Sequence, residues 1–251
     1  MSTPFRPMKV SAEFVTSAAR LDDFPRDGLR EIALVGRSNV GKSSLINAVA
    51  GARVARASAA PGKTRLANIY RITRARTAPF YLVDLPGYGY ARGGREAAAA
   101  FEALTQGYFG RDGQVGRDGQ VGRDGQVGRE GQDRREGFSH PAPPALPAPP
   151  AHVSALLLVD ARHPGLDSDR TAWGWLQRTV RDRGIVATKV DKLTRGERIR
   201  ALRELESVFG DSVLPVSAVT GEGLDELWKL IDKLVNSHNR NRRSSNPPGA
   251  L

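Results

Sequence analysis

Strand-length apolar runs alternate with segments of helical periodicity along most of this 251-residue chain. That alternation predicts an α/β fold, with a mostly parallel six-stranded sheet covered by helices on both faces. A glycine-rich loop between the first strand and the first helix supports the same class, because ligands of such sheets bind at the carboxyl ends of the strands. The hydrophobic fraction of 39% suffices for one core, although long polar and Pro-rich stretches dilute it.

The first strand is read at Glu31-Ile32-Ala33-Leu34-Val35, and Ser44 to Val49 continues as a helix. Gly51 to Ala67 lacks apolar periodicity and carries Pro61-Gly62-Lys63-Thr64, so it reads as a mobile loop. Asn68 to Thr73 alternates as a strand with one buried face would, and Phe80 to Asp84 is a strand ending on an acid. Leu85 to Gly94 is a second glycine-rich loop; Phe101, Leu104 and Tyr108 then place a helix within Arg95 to Phe109. Val153 to Asp160 is an apolar strand, and a helix covers Asp169 to Arg183. Only Ile185-Val186-Ala187 remain for the next strand, fewer than the average of about 5–6 residues, which puts the placement of Lys189 and Asp191 in doubt. Gly196 to Phe209 is helical, Asp211 to Ser217 is a strand, and Glu222 to Asn236 is a helix with a stripe of Leu224, Leu227, Trp228, Ile231 and Leu234.

Residues 110–151 break this pattern. Arg111-Asp112-Gly113-Gln114-Val115-Gly116 recurs from Arg117 and Arg123, and a Pro/Ala segment continues from His140 to Pro150. Glycine falls on every third position from Gly110 to Gly131, but without proline a collagen-like triple helix is not expected. The segment is read as a decoration of one surface loop; lengthening a loop fourfold costs only about 1.2 kcal/mol of closure entropy. Residues 237–251, with Arg240, Arg242 and Arg243, form a basic polar tail expected to be disordered.

Composition narrows the function classes. With no cysteine, disulfides and thiolate metal sites are excluded, which suits a reducing cytoplasm. Met1 to Arg30 shows no apolar signal-peptide region, and no stretch approaches the ~18 apolar residues of a membrane span, so no membrane partner is expected. The net charge of +11 argues for a polyanionic partner, with plain solubility as the alternative.

Five elements carry the chemistry. Gly36-Arg37-Ser38-Asn39-Val40-Gly41-Lys42-Ser43 reads G-x-x-x-x-G-K-S, a phosphate loop in which Lys42 reaches the β- and γ-phosphates and the Ser43 hydroxyl ligates Mg²⁺. Asp84-Leu85-Pro86-Gly87 reads D-x-x-G: Asp84 would hold Mg²⁺ through a water and the Gly87 N–H would sense the γ-phosphate. Thr64, in the loop between them, would complete the Mg²⁺ shell only with triphosphate bound. Thr188-Lys189-Val190-Asp191 selects guanine, because one carboxylate can accept from both guanine N1–H and N2–H₂, whereas adenine N1 is itself an acceptor. Val216-Ser217-Ala218 comes last, with a backbone N–H suited to guanine O6.

On these residues the chain resembles the EngB/YsxC family of bacterial ribosome-assembly GTPases. The phosphate loop extended through Ser44-Leu45-Ile46-Asn47, Pro61 to Thr64, the run Asp84-Leu85-Pro86-Gly87-Tyr88-Gly89-Tyr90-Ala91, and Thr188 to Leu193 carry the resemblance. Phe14, Phe24-Pro25 and Asp160-Ala161-Arg162-His163 also resemble family positions. The resemblance runs from about Glu13 to Val235, the insertion excepted. It implies a Ras-like P-loop GTPase domain over residues 29–236, interrupted by the insertion and preceded by an N-terminal extension, 1–28. It further implies GTP and GDP as ligands, the large ribosomal subunit as partner, and a cytoplasmic role in subunit assembly with effects on division and septation. A GTP-regulated division factor acting through protein partners, with impaired hydrolysis, is the alternative. Nothing in the sequence demands a dimer.

Ras-type enzymes place a Gln after D-x-x-G to orient the attacking water, and this chain has Tyr88 there. Slow intrinsic hydrolysis is therefore expected, with Lys42, Thr64 and Gly87 as the catalytic residues. The resemblance also suggests that Asn39 coordinates K⁺ beside the phosphates; the alternative is that Asn39 only braces the loop.

Overall fold

The computed structural model describes residues 10–55, 66–75, 77–88, 104–110 and 153–237. Among them the elements run β1 (Val10–Ala18), β2 (Arg30–Gly36), α1 (Lys42–Ala50), β3 (Ala67–Arg74), β4 (Phe80–Asp84), a helical stretch at 104–110 (α2), β5 (Val153–Asp160), α3 (Asp167–Thr179), β6 (Arg183–Thr188), α4 (Arg195–Phe209), β7 (Val213–Pro215) and α5 (Leu224–Asn236). The strands form one sheet in the order β1-β3-β4-β2-β5-β6-β7. It is parallel from β4 through β7 and antiparallel where β3 joins β4 and β1 joins β3.

The α/β class is as expected, but the sheet has seven strands, not six. The additional strand, β1, lies in the segment read as an N-terminal extension. Its inner neighbour β3 supplies the pairing, in register from Val10 opposite Arg74 to Ala18 opposite Ala67, with a bulge between Phe14 and Thr16. As an edge strand it buries only Ala18 fully, so its sequence lacks the apolar run that marks β2 or β5. Phe14 is half exposed and meets the Tyr70 ring edge-on at 5.7 Å.

β5 is buried along its whole length because helices cover both its faces. Leu156 and Leu158 face α1 and α5, packing with Leu45, Ile46, Val49, Leu227 and Ile231. Leu157 and Val159 face the opposite layer, with Tyr108, Trp173, Leu176, Leu205 and Phe209. The apolar stripe predicted for the last helix is therefore a core face, with Leu227, Trp228, Ile231 and Leu234 buried and Leu224 packed against them. Phe24 closes this second layer against Tyr108, ring centroids 5.0 Å apart, and so ties the N-terminal segment to the core.

The strand expected to be too short is complete. β6 has six residues, and all six pair with β5, from Arg183 opposite Ala155 to Thr188 opposite Asp160. Arg183 and Gly184 escape an apolar reading because the strand begins at the sheet rim. There the Arg183 guanidinium lies 5.6 Å from the Trp173 ring and donates to the Val180 carbonyl at 2.7 Å.

Candidate nucleotide site

The site is built at the carboxyl ends of β2, β4, β5 and β6. β2 delivers the chain into the turn Arg37–Val40, and α1 starts at Lys42. Gly41 has φ 113°, which a side chain rarely adopts, and it is the N-cap of α1 with no side-chain hydrogen bond to the helix amides. No acidic residue occupies the first turn. The α1 N-terminus thus keeps its amides and its positive dipole end for an external anion.

Lys42 folds back over the loop, donating to the carbonyls of Gly36 at 3.0 Å and Arg37 at 3.3 Å. Burial pulls its pKa down, and the Asp84 carboxylate opposes that shift. The Ser43 hydroxyl donates to Asp84 Oδ2 at 3.0 Å. Asp84 is itself buried; desolvation raises its pKa, against the pull of Lys42 and Ser43. A lysine, a hydroxyl and a buried carboxylate therefore converge beside the uncapped helix.

The D-x-x-G segment lies directly on the phosphate loop. A Cβ on Gly87 would sit 2.6 Å from Ser38 N and 2.7 Å from Ser38 Cα, so only glycine permits the contact. Tyr88 continues it through a parallel bridge to Arg37, with Ser38 N–H donating to the Tyr88 carbonyl at 3.4 Å. The Tyr88 side chain points to α3: its hydroxyl donates to Asp169 Oδ1 at 2.9 Å.

On the other side, Thr188 ends β6 with its hydroxyl 2.7 Å from the Val40 carbonyl and 3.0 Å from that of Val159. Lys189 Nζ donates to the Asn39 carbonyl at 2.5 Å and to Asp160 Oδ2 at 2.9 Å. Asp191 accepts from the Ser217 hydroxyl at 2.8 Å, and that bond holds its carboxyl below the usual range. Ser217 is fully buried and accepts in turn from the amides of Val219 at 3.2 Å and Thr220 at 3.1 Å. A fixed carboxylate beside a turn of amides is the arrangement a guanine edge requires.

Comparison with known proteins agrees with this geometry. Residues 31–109 match the family described as 50S ribosome-binding GTPase. The chain is 36% identical over 223 residues to the probable GTP-binding protein EngB of Solibacter usitatus, covering 88% of this chain and 95% of that protein. It is 35% identical over 225 residues to that of Chlorobaculum parvum, covering 88% and 96%. The chain belongs to the EngB family of GTP-binding proteins. Two solved structures share the fold. One is a probable EngB GTP-binding protein with TM-score 0.51 and 20% identity, covering 83% of this chain and all of that one. The other is Era in complex with MgGDPNP and nucleotides 1506–1542 of 16S ribosomal RNA, with TM-score 0.58 and 19% identity, covering 82% of this chain and 57% of that one.

EngB membership carries GTP binding and GTPase activity in general. Gly36 to Ser44, Asp84 to Gly87, Thr188 to Asp191 and Val216 to Ala218 follow the carboxyl ends of their strands, with Leu85, Pro86, Val190 and Val216 buried beneath them, and hydrogen bonds join Thr188 to Val40, Lys189 to Asn39 and Ser217 to Asp191. Asn39 is exposed at the loop apex. Gly62, Lys63 and Thr64 lie outside the described residues, as do Gly89 to Ala91, nearly all of the 110–151 insertion and the tail beyond Ser237. Sequence reasoning missed two partners. Asp160 stands out in the sequence only as a family position, and Asp169 only as a helix start. Both are buried carboxylates with side-chain partners brought from distant segments, a pairing no local pattern announces.

Proposed function

We propose that this EngB-family protein is a slow GTPase switch in large ribosomal subunit assembly, acting in the cytoplasm as a monomer and needed for normal division and septation. The observation that carries the nucleotide part is the bonding of the T-K-x-D segment to the phosphate loop, Lys189 to Asn39 and Thr188 to Val40, which joins the two halves into one site. The net charge of +11 supports an RNA-rich partner. Among the described residues no helix is long and apolar enough to cross a membrane.

Ser43 and Asp84 offer the hard oxygen donors that Mg²⁺ takes, and Thr64 would join them in the triphosphate state. When bound, the ion would neutralise charge on the β- and γ-phosphates. Lys42 would orient the same phosphates, and the Gly87 amide would register the γ-phosphate. Slow hydrolysis follows from Tyr88, whose hydroxyl is engaged by Asp169 and is not offered to a water. K⁺ at Asn39 would supply the charge an arginine finger provides elsewhere. Single-turnover hydrolysis should then be faster in K⁺ than in Na⁺, and equal rates would remove K⁺ from the mechanism.

The assembly role is tested by cosedimentation with large ribosomal subunits, using a GTP analogue or GDP across a salt series. Retention with the analogue, weakening with salt, is expected. No association at low salt would exclude this role and favour the reading of a division factor working through protein partners.

A further inference from the structure

Asp160 stands at the end of β5, where β6 delivers Thr188 opposite it. Its carboxylate is almost wholly buried, and four donor groups from two residues converge on it. Arg162 forks onto it, Nε to Oδ1 at 2.9 Å and Nη2 to Oδ2 at 2.7 Å, while the Arg162 amide reaches Oδ1 at 3.1 Å. Lys189 Nζ takes the remaining direction on Oδ2 at 2.9 Å. The Arg162 fork fixes the plane of the carboxylate. The sheet fixes its position, so Lys189 meets a rigid anionic anchor.

Among the described residues, only Asn39 (φ 63°) and Lys189 (φ 60°) are non-glycines in the left-handed region. They are joined to each other, Lys189 Nζ to the Asn39 carbonyl. A lysine with a long flexible stem does not hold such a conformation for one neutral acceptor at an exposed loop apex. The buried Asp160 charge provides the second, stronger contact.

We propose that Asp160 is a positioning residue of the nucleotide site: it anchors the Lys189 ammonium across the Asn39 carbonyl, so that the lysine stem is pre-set as the wall on which the guanine and ribose lie. This rests on the nucleotide reading of the site. Asp160 touches no ligand itself; it acts through Lys189. Because the contact is on the base side, it serves GDP and GTP alike. It leaves base selection to Asp191.

The test is a double-mutant cycle on dissociation of fluorescent GDP and of a fluorescent non-hydrolysable GTP analogue. Asp160→Asn keeps the shape and removes the charge. It should speed release of both nucleotides by the same factor, about tenfold for loss of one charge-assisted hydrogen bond. In a Lys189→Ala background the same change should have almost no effect, and preference for guanine over hypoxanthine nucleotides should be unchanged. A purely structural aspartate would instead slow or speed release equally in both backgrounds, and that result overturns the proposal. Arg162→Ala, at a partly exposed side chain, is a second arm should Asp160→Asn fold poorly. It should give a smaller acceleration, again absent without Lys189. Failure of the unsubstituted protein to bind either nucleotide would overturn the reading of the site and the proposal together; tight binding with an unaltered Asp160→Asn off-rate overturns the proposal alone.

Discussion

Tyr88→Phe is the most informative single substitution, because it removes one oxygen and nothing else. The hydroxyl donates to Asp169 at 2.9 Å, and Asp169 is only 2% exposed, so water has little access to replace the lost donor. A hydrogen bond to a charged group contributes about 1.5–3 kcal/mol, and a buried acceptor left without its donor forfeits most of that. Taking about 2 kcal/mol and about 2–4 °C per kcal/mol for a protein of this size, the melting midpoint should fall by about 4–8 °C. The assay is thermal unfolding without nucleotide at neutral pH, in a cycle with Asp169→Asn. Against the neutral asparagine the same loss should shrink to about 1 kcal/mol, the worth of an uncharged bond. Single-turnover hydrolysis should change little, since the hydroxyl is committed to α3. A Tyr88→Phe midpoint within a degree of the parent would refute the buried latch. A large fall in hydrolysis with intact stability would instead place the hydroxyl in the reaction.

Three other outcomes rest on the same geometry. Gly87→Ala forces a Cβ to 2.6 Å from the Ser38 amide nitrogen, where the backbone must move. It should cost about 1–3 kcal/mol in unfolding measurements and weaken the GTP analogue more than GDP in direct titration. Ser217→Ala takes the donor from Asp191, so affinity for guanine nucleotides should fall about tenfold in equilibrium titration while inorganic phosphate competition is unchanged. The two buried aspartates should respond to pH with opposite signs. Burial raises the Asp169 pKa, so its charge penalises the fold as pH climbs through that raised value; Asp169→Asn should melt higher at neutral pH, the gain shrinking as pH falls. Burial also pushes Asp160 up, but the bonds from Arg162 and Lys189 outweigh it and hold the group below its ordinary range. Asp160 therefore stabilises above the ordinary carboxylate pKa of about 3.8, and Asp160→Asn should melt lower at neutral pH, the deficit closing in acid. Melting curves across pH for both variants decide the signs.

The α/β class, the nature of the ligand and the order of the motifs were legible in the chain alone. Those features are written locally: a short apolar, branched run such as Val153–Asp160 suits a strand buried on both faces, and G-x-x-x-x-G-K-S needs its glycines wherever it folds. The expectation of guanine was legible for the same reason, since T-K-x-D places it on one carboxylate, Asp191. Other features exist only in the folded molecule. β1 is a strand because β3 offers it an edge, and β6 reaches six residues because β5 pairs with Arg183 and Gly184, neither of which looks like a buried strand alone. The Tyr88–Asp169 and Lys189–Asp160 contacts join residues 81 and 29 positions apart. Their effect comes from burial, which makes a lone carboxylate costly and a paired one a fixed anchor. Burial is a property of the folded neighbourhood, so no stretch of sequence could display it.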